Sequence, residues 1–263
     1  MKKYINYFHS SIKKIIISLV LIGGNFFIAY SQHTQGMNMD TSVVIKKDMA
    51  DMPEHVMLPM PFLTHMGMPF SIGTHGLRAS ILPTRIDGKT NTEFKVQYMT
   101  GITKTVGIML EAEGTFHSDP AFEIMFQFAI LKSKDGMSGI SSIIEFEIPT
   151  EKGVRRVNTV IGFSTAIVKS HFAFNQAFHY DPREDLVDGS AAVVYELTKK
   201  IFLVVELSGK TVNESNAIFN LLGGIKVRVN KNFLLGIGYR HPITNNNDFS
   251  SQYILQSDMM WKK

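Results

Sequence analysis

Three placements of histidine, methionine and serine in this 263-residue chain could support chemistry. The first is His65-Met66-Gly67-Met68, an imidazole and two thioethers within four residues, the donor types that a soft ion such as Cu(I) prefers. It lies in residues 32–69, a stretch with eight of the chain's 15 methionines together with His33, His55 and His65. No ligand spacing repeats there, and methionine is also an adaptable gap-filler. The segment therefore reads first as an extended arm packed against or inside the main domain, with metal at His65, Met66 and Met68 as a second reading. The second placement is Ser170-His171, which could be drawn into a lipid-cleaving site, but neighbours on a strand point to opposite faces. The third is His171 with His179, eight residues apart on one strand pattern, facing the same side near opposite ends. No GxSxG, HExxH, Walker A or dinucleotide fingerprint occurs, so no catalytic residue is assigned and no cofactor is expected. Cysteine is absent, which removes disulfides, thiolate metal sites and cysteine nucleophiles.

Charge narrows the partners. Lys2, Lys3, Lys13 and Lys14 account for the whole basic excess, and residues 32–263 hold 23 bases and 23 acids. Without a standing positive field, nucleic acid is not an expected partner. Those lysines precede the apolar run Ile15 to Ala29, which leads into Tyr30-Ser31-Gln32. A basic lead, a short apolar core and small residues at Ala29 and Ser31 form the pattern of a cleaved secretory signal. At 15 residues and interrupted by Asn25, the run is short of the roughly 20 that a spanning helix needs. The expected organisation is a signal peptide over 1–31, a Met/His-rich arm or plug over 32–70 and the main domain over 71–263. Pro53, Pro59, Pro61 and Pro69 interrupt the arm and preclude a long helix in it.

The main domain has a period of two. Phe94, Val96 and Tyr98 alternate with Glu93, Lys95 and Gln97, and Phe122, Ile124, Phe126 and Phe128 alternate with Glu123, Met125 and Gln127. Ile144, Phe146 and Ile148 alternate with Glu145 and Glu147. Such alternation marks strands with one apolar and one polar face. Twelve candidates follow, near 72–84, 91–100, 104–113, 121–132, 140–148, 155–168, 171–180, 189–198, 201–208, 217–229, 232–241 and 251–261. Most approach the roughly 9–11 residues of a tilted membrane strand. The joins at Asp87-Gly88, 114–120, 149–154, 181–188, 209–216 and 242–250 are longer or polar; those at 101–103, 169–170, 199–200 and 230–231 are tight, and only Lys134–Gly139 spoils the alternation. Sorting by parity is expected of a membrane barrel, with loops outside and turns in the periplasm. Tyr98, Phe116, Phe172, Phe178, Tyr180, Tyr239, Tyr253 and Trp261 sit near strand ends, where interfacial girdles form.

Residues 236–253, Gly236 to Tyr253 (GIGYRHPITNNNDFSSQY), resemble the closing hairpin of small outer-membrane barrels of the meta-pathway or "transporter-like" channel type. They also resemble uncharacterised exported barrel proteins of Bacteroidetes-type bacteria. The resemblance implies a channel-like barrel and supplies no substrate.

Strand parity then assigns the lumen. Glu111, Glu123, Glu145, Glu147, Glu196 and Glu206 face inward from the third to ninth strands, and Arg78, Lys226, Arg228 and Arg240 from the first, tenth and eleventh. The wall would be acidic on one side and basic on the other. It either imposes a transverse field on an open pore or closes into ion pairs. The chain is thus expected to be an all-β, closed antiparallel transmembrane barrel of about twelve strands with an irregular N-terminal arm. It would sit in the outer membrane of a Gram-negative bacterium. Its function would be passive passage of a small solute, not catalysis. Its partners would be outer-membrane lipid, that solute and the barrel-assembly machinery. The alternative is a non-conducting barrel or exported binding protein that handles copper through the arm.

Overall fold

Period-two segments separated by polar joins have one way to satisfy every backbone group without a free edge, which is to close on themselves. The computed structural model describes residues 58–263 except 87, 116–120, 134–135, 149, 151–156, 213–215 and 245–249. The expected signal peptide and residues 32–57 of the arm lie outside the described residues. Twelve strands follow in order: β1 (Thr74–Ile86), β2 (Lys89–Gly101), β3 (Val106–Thr115), β4 (Ala121–Lys132), β5 (Gly139–Ile148), β6 (Asn158–Lys169), β7 (Phe172–Asp181), β8 (Leu186–Thr198), β9 (Ile201–Val212), β10 (Asn216–Asn230), β11 (Phe233–Pro242) and β12 (Ser251–Lys262). Each pairs antiparallel with its neighbours, and β1 pairs with β12 to close the barrel.

The strands run from 10 to 15 residues, long enough to cross hydrocarbon when tilted. Outward positions are apolar and exposed: Leu203, Val205 and Leu207 on β9, Ile225 and Val227 on β10, Leu235 and Ile237 on β11. An apolar surface of that extent has lipid as its natural solvent. Aromatic clusters mark two levels. Near the β1 start, the His75 ring stacks on Trp261 at 5.5 Å and Tyr98 at 6.1 Å, and its Nδ1 is 2.8 Å from the Tyr98 hydroxyl. At the opposite end the Tyr239 and Tyr253 rings lie 5.2 Å apart.

The strand order puts the ends of β1, β3, β5, β7, β9 and β11 at one end of the barrel, the end of the longer or polar joins. The joins 102–105, 133–138, 170–171, 199–200 and 231–232 lie at the other. The length sorting is weaker than expected. The join at Asp87-Gly88, placed with the longer or polar joins, is only two residues long, and its Gly88 has φ 79°, while 133–138 is a six-residue join at the short-turn end. A two-residue hairpin favours a positive φ, which glycine adopts without strain.

The inner face also departs from a uniformly polar wall. Phe202 and Val204 on β9, Leu234 on β11, Val194 on β8 and Ile143 on β5 point inward and are almost fully buried. The reason is that the lumen contains protein. Residues 58–70 thread through it, with Met60, Phe62 and Thr64 each at 1% exposure, and the barrel thereby has a core of its own.

Candidate functional site

The sequence Pro59-Met60-Pro61-Phe62 cannot supply a continuous row of backbone donors, because proline has none. Its carbonyls still need partners inside a closed barrel. The basic side of the wall provides them. Lys226, fully buried on β10, donates to Met60 O at 2.6 Å, Pro61 O at 3.2 Å, Gln256 Oε1 at 2.6 Å and Asp258 Oδ2 at 2.6 Å. Arg78 on β1 donates to Pro61 O at 2.7 Å, Phe62 O at 3.3 Å and Gln97 Oε1 at 3.2 Å, and through Nε to Asp258 Oδ1 at 3.0 Å. Gln256 on β12 adds a donor to Phe62 O at 2.9 Å.

Past Phe62 the polarity reverses. The Phe62, Leu63 and Thr64 amides and the Thr64 hydroxyl all donate to the Glu206 carboxylate on β9. The Leu63 and Thr64 amides reach Oε2 at 3.0 and 2.8 Å, and the hydroxyl reaches it at 3.0 Å. A buried carboxylate wrapped by consecutive amides is a strong, geometry-defining anchor. The segment then turns down the opposite wall. Gly67 N donates to Asn175 Oδ1 at 3.0 Å, and Gly67 O accepts from Ser141 Oγ at 2.9 Å and Ser164 Oγ at 3.3 Å. Gln127 donates to Met66 O at 2.8 Å.

Two close approaches depend on glycine. A Cβ on Gly67 would collide with the Thr165 carbonyl, which is strand backbone and cannot yield. The Phe62 ring lies where Cβ atoms on Gly224 and Gly236 would stand, 2.5 and 2.8 Å from its edge, with Lys226 Nζ 4.7 Å from the ring centre. Gly224 on β10 and Gly236 on β11 are therefore a socket for one aromatic side chain.

The sequence-assigned lumen residues divide into four groups. Arg78, Glu206 and Lys226 bind the threaded segment. Glu111, Glu123, Glu145 and Glu147 form an acidic wall, in which Glu123 stands opposite both Glu111 and Glu147 in register. Lys95 on β2 pairs with Glu111 and, at 3.4 Å, with Glu113, offsetting part of their repulsion. Arg240 lies on the cavity, donating to Ser208 Oγ and Gln252 Oε1, each at 3.3 Å. Glu196 and Arg228 lie at the short-turn rim: Glu196 Oε2 is 3.2 Å from the exposed His171, and Arg228 donates to Lys199 O at 3.0 Å and covers the Phe202 ring. The basic sector also carries its own carboxylate, Asp258, between Arg78 and Lys226. Charge separation across the wall is thus less complete than the assigned residues alone implied.

Above the threaded segment lies a cavity of about 840 Å³, floored by Leu63, Thr64 and His65. Among the described residues, Glu93, Glu113, Glu123, Glu145, Glu147, Asp181 and Asp188 line it, against the full cations Lys95, Lys210 and Arg240. His65 faces this space. Met66 and Met68 turn instead toward a pocket of about 40 Å³ shared with Met99, Met109 and Met125, which His65 also borders. Met68 Sδ is 3.5 Å from Ser141 Oγ. Sulfur here fills an irregular gap. His179 and Asp188 were absent from the assigned lumen set. The alternation of His179 with Phe178 and Tyr180 could have placed it inward, but Asp188 was read as loop.

A closed antiparallel barrel with a lipid-suited exterior and a segment-filled interior has the architecture of outer-membrane β-barrels. No family model matches the chain, and no curated protein resembles it in sequence. Among solved structures it is similar to the KdgM porin, with a TM-score of 0.55 and 8% identity over 71% of this chain and 98% of that one. It is equally similar to the COG4313 outer membrane channel from Pseudomonas putida F1, with a TM-score of 0.55 and 8% identity over 74% of this chain and 98% of that one. At such identities the likeness is one of fold.

Proposed function

We propose that the chain is an outer-membrane channel for a small polar solute, closed at rest by its own residues 58–70. The observation that carries this reading is the polar cavity of about 840 Å³ whose floor is that segment. A barrel with no solute to admit has little use for a water-filled vestibule above a separately anchored stopper. The fold shared with the KdgM porin and the COG4313 channel supports the same reading. Kinship with the meta-pathway type of channel, suggested by residues 236–253, is part of the proposal, as is catalytic inactivity. Outer-membrane lipid would surround the belt, and the assembly machinery would insert the barrel with the longer loops outward.

The lining argues for the solute's charge. Seven carboxylates against three cations among the described residues make the vestibule a cation-concentrating mouth. One structural neighbour is a KdgM porin in complex with disordered oligogalacturonate. A polyanion of that kind would be repelled by the lining here, so a neutral or cationic solute fits better. Planar-bilayer recording on the full chain and on a variant lacking residues 58–70 tests the reading. The variant should conduct several-fold more than the full chain and favour cations. A folded deletion variant that conducts nothing would make this an inert barrel.

A further inference from the structure

Where the threaded segment meets the acidic wall, three side chains from three parts of the chain converge. His65 comes from the segment, Glu145 from β5 and His179 from β7, and one ligand-type atom of each lies within 4.8 Å of the others. The two imidazoles meet edge to face with centroids 4.9 Å apart. His179 is 7% exposed, and its Nδ1 lies 3.0 Å from Asp188 Oδ1. A carboxylate only accepts, so Nδ1 carries the proton, and Nε2 presents its lone pair to the interior. That buried Nε2 has no hydrogen-bond partner among the described residues. An orphaned imidazole nitrogen, oriented from behind by a carboxylate, is the arrangement of a metal-ligating histidine. A second imidazole and a carboxylate beside it complete a donor set suited to a borderline divalent ion.

We propose that His65, Glu145 and His179 bind one divalent transition-metal ion of the zinc class, with Asp188 orienting His179. Tetrahedral ligands at about 2.1 Å from a metal stand roughly 3.4 Å apart, a contraction that side-chain rotation supplies. The fourth position faces the cavity and takes water or a solute group. This site differs from the thioether cluster: its donors are nitrogen and oxygen, and it ties the threaded segment to the wall instead of lying within the segment. Bound metal would act as a latch that holds residues 58–70 in the lumen.

The test uses the full chain purified in detergent, with Co2+ as a visible probe and Zn2+ as competitor. One Co2+ per chain should bind with intense tetrahedral-type bands, and Zn2+ should displace it. His65→Gln and His179→Gln should each weaken binding by about 100-fold, and Asp188→Asn by about 10–100-fold as an orienting group. Met66→Leu with Met68→Leu should leave binding unchanged. His65 is not part of the barrel wall, so His65→Gln stays informative even where a wall variant fails to fold. Absence of Co2+ and Zn2+ binding overturns the proposal, as does unchanged affinity in His65→Gln or loss in the double methionine variant. These readouts report binding and are independent of whether the barrel conducts.

Discussion

At the scale of single residues, the lumen is organised by the polarity of a peptide. Carbonyls of residues 60–62 face Lys226, Arg78 and Gln256, while the amides of 62–64 face Glu206. Opposed wall charges therefore hold a dipolar backbone in one orientation. Glu206→Ala should release that hold. Hydrogen bonds to a charged group are worth roughly 1.5–3 kcal/mol each, so the segment should lose at least about 3 kcal/mol of attachment. The expected outcome is frequent full openings in bilayer recordings with the heat-modifiable gel shift of a folded barrel retained. Lys226→Met should act differently. It leaves Asp258 still paired with Arg78 but strips the buried Met60 O and Gln256 Oε1 of their donor, and each buried acceptor left unsatisfied costs about 1–3 kcal/mol. Urea unfolding of the whole barrel should register that loss.

Each strand serves two solvents, and substitutions should separate them. On β9, Val205 is 51% exposed toward lipid whereas Glu206 is 3% exposed in the lumen. Val205→Arg should cost roughly 2–4 kcal/mol as a charge near the midplane, read as a lower unfolding midpoint in detergent or vesicles, with conductance unchanged. The reverse pattern belongs to the threaded element. Gly67→Ala places a methyl against the Thr165 backbone, and overpacking costs typically 1–3 kcal/mol. Since the segment yields more easily than a paired strand, barrel stability should change little while the resting conductance rises. Equal conductance in wild type and Gly67→Ala would show that the segment does not block passage.

Across the whole molecule, antiparallel closure puts 182–185 and 199–200 at opposite ends. Epitope tags inserted at 184 and at 199 should therefore differ on intact cells, the first accessible and the second hidden; equal labelling would defeat the transmembrane placement. The vestibule's charge balance gives a second molecular property. Arg240 is one of three full cations lining it among the described residues, so Arg240→Glu should shift the reversal potential further toward cations. Arg228→Glu, at the short-turn rim, should shift it less.

Strand number and face were legible in the sequence because alternation of residues such as Phe94, Val96 and Tyr98 with Glu93, Lys95 and Gln97 is a local property with a fixed period. The inward placement of Arg78, Glu145, Glu206 and Lys226 followed from the same parity. What each of them touches did not. Glu206 meets amides more than 140 residues away, and Lys226 meets carbonyls more than 160 residues away; nothing in either strand's own pattern encodes such a partner. The apolar inner positions Phe202 and Val204 broke the expected alternation for that reason, since a lumen filled with protein wants the surface of a core. His65 looked like a partner of its sequence neighbours Met66 and Met68, yet an irregular segment has no fixed side-chain period. Only the path through the barrel turned its imidazole toward Glu145 and His179, because the anchors at Glu206 and Asn175 on either side of it set which way the backbone faces.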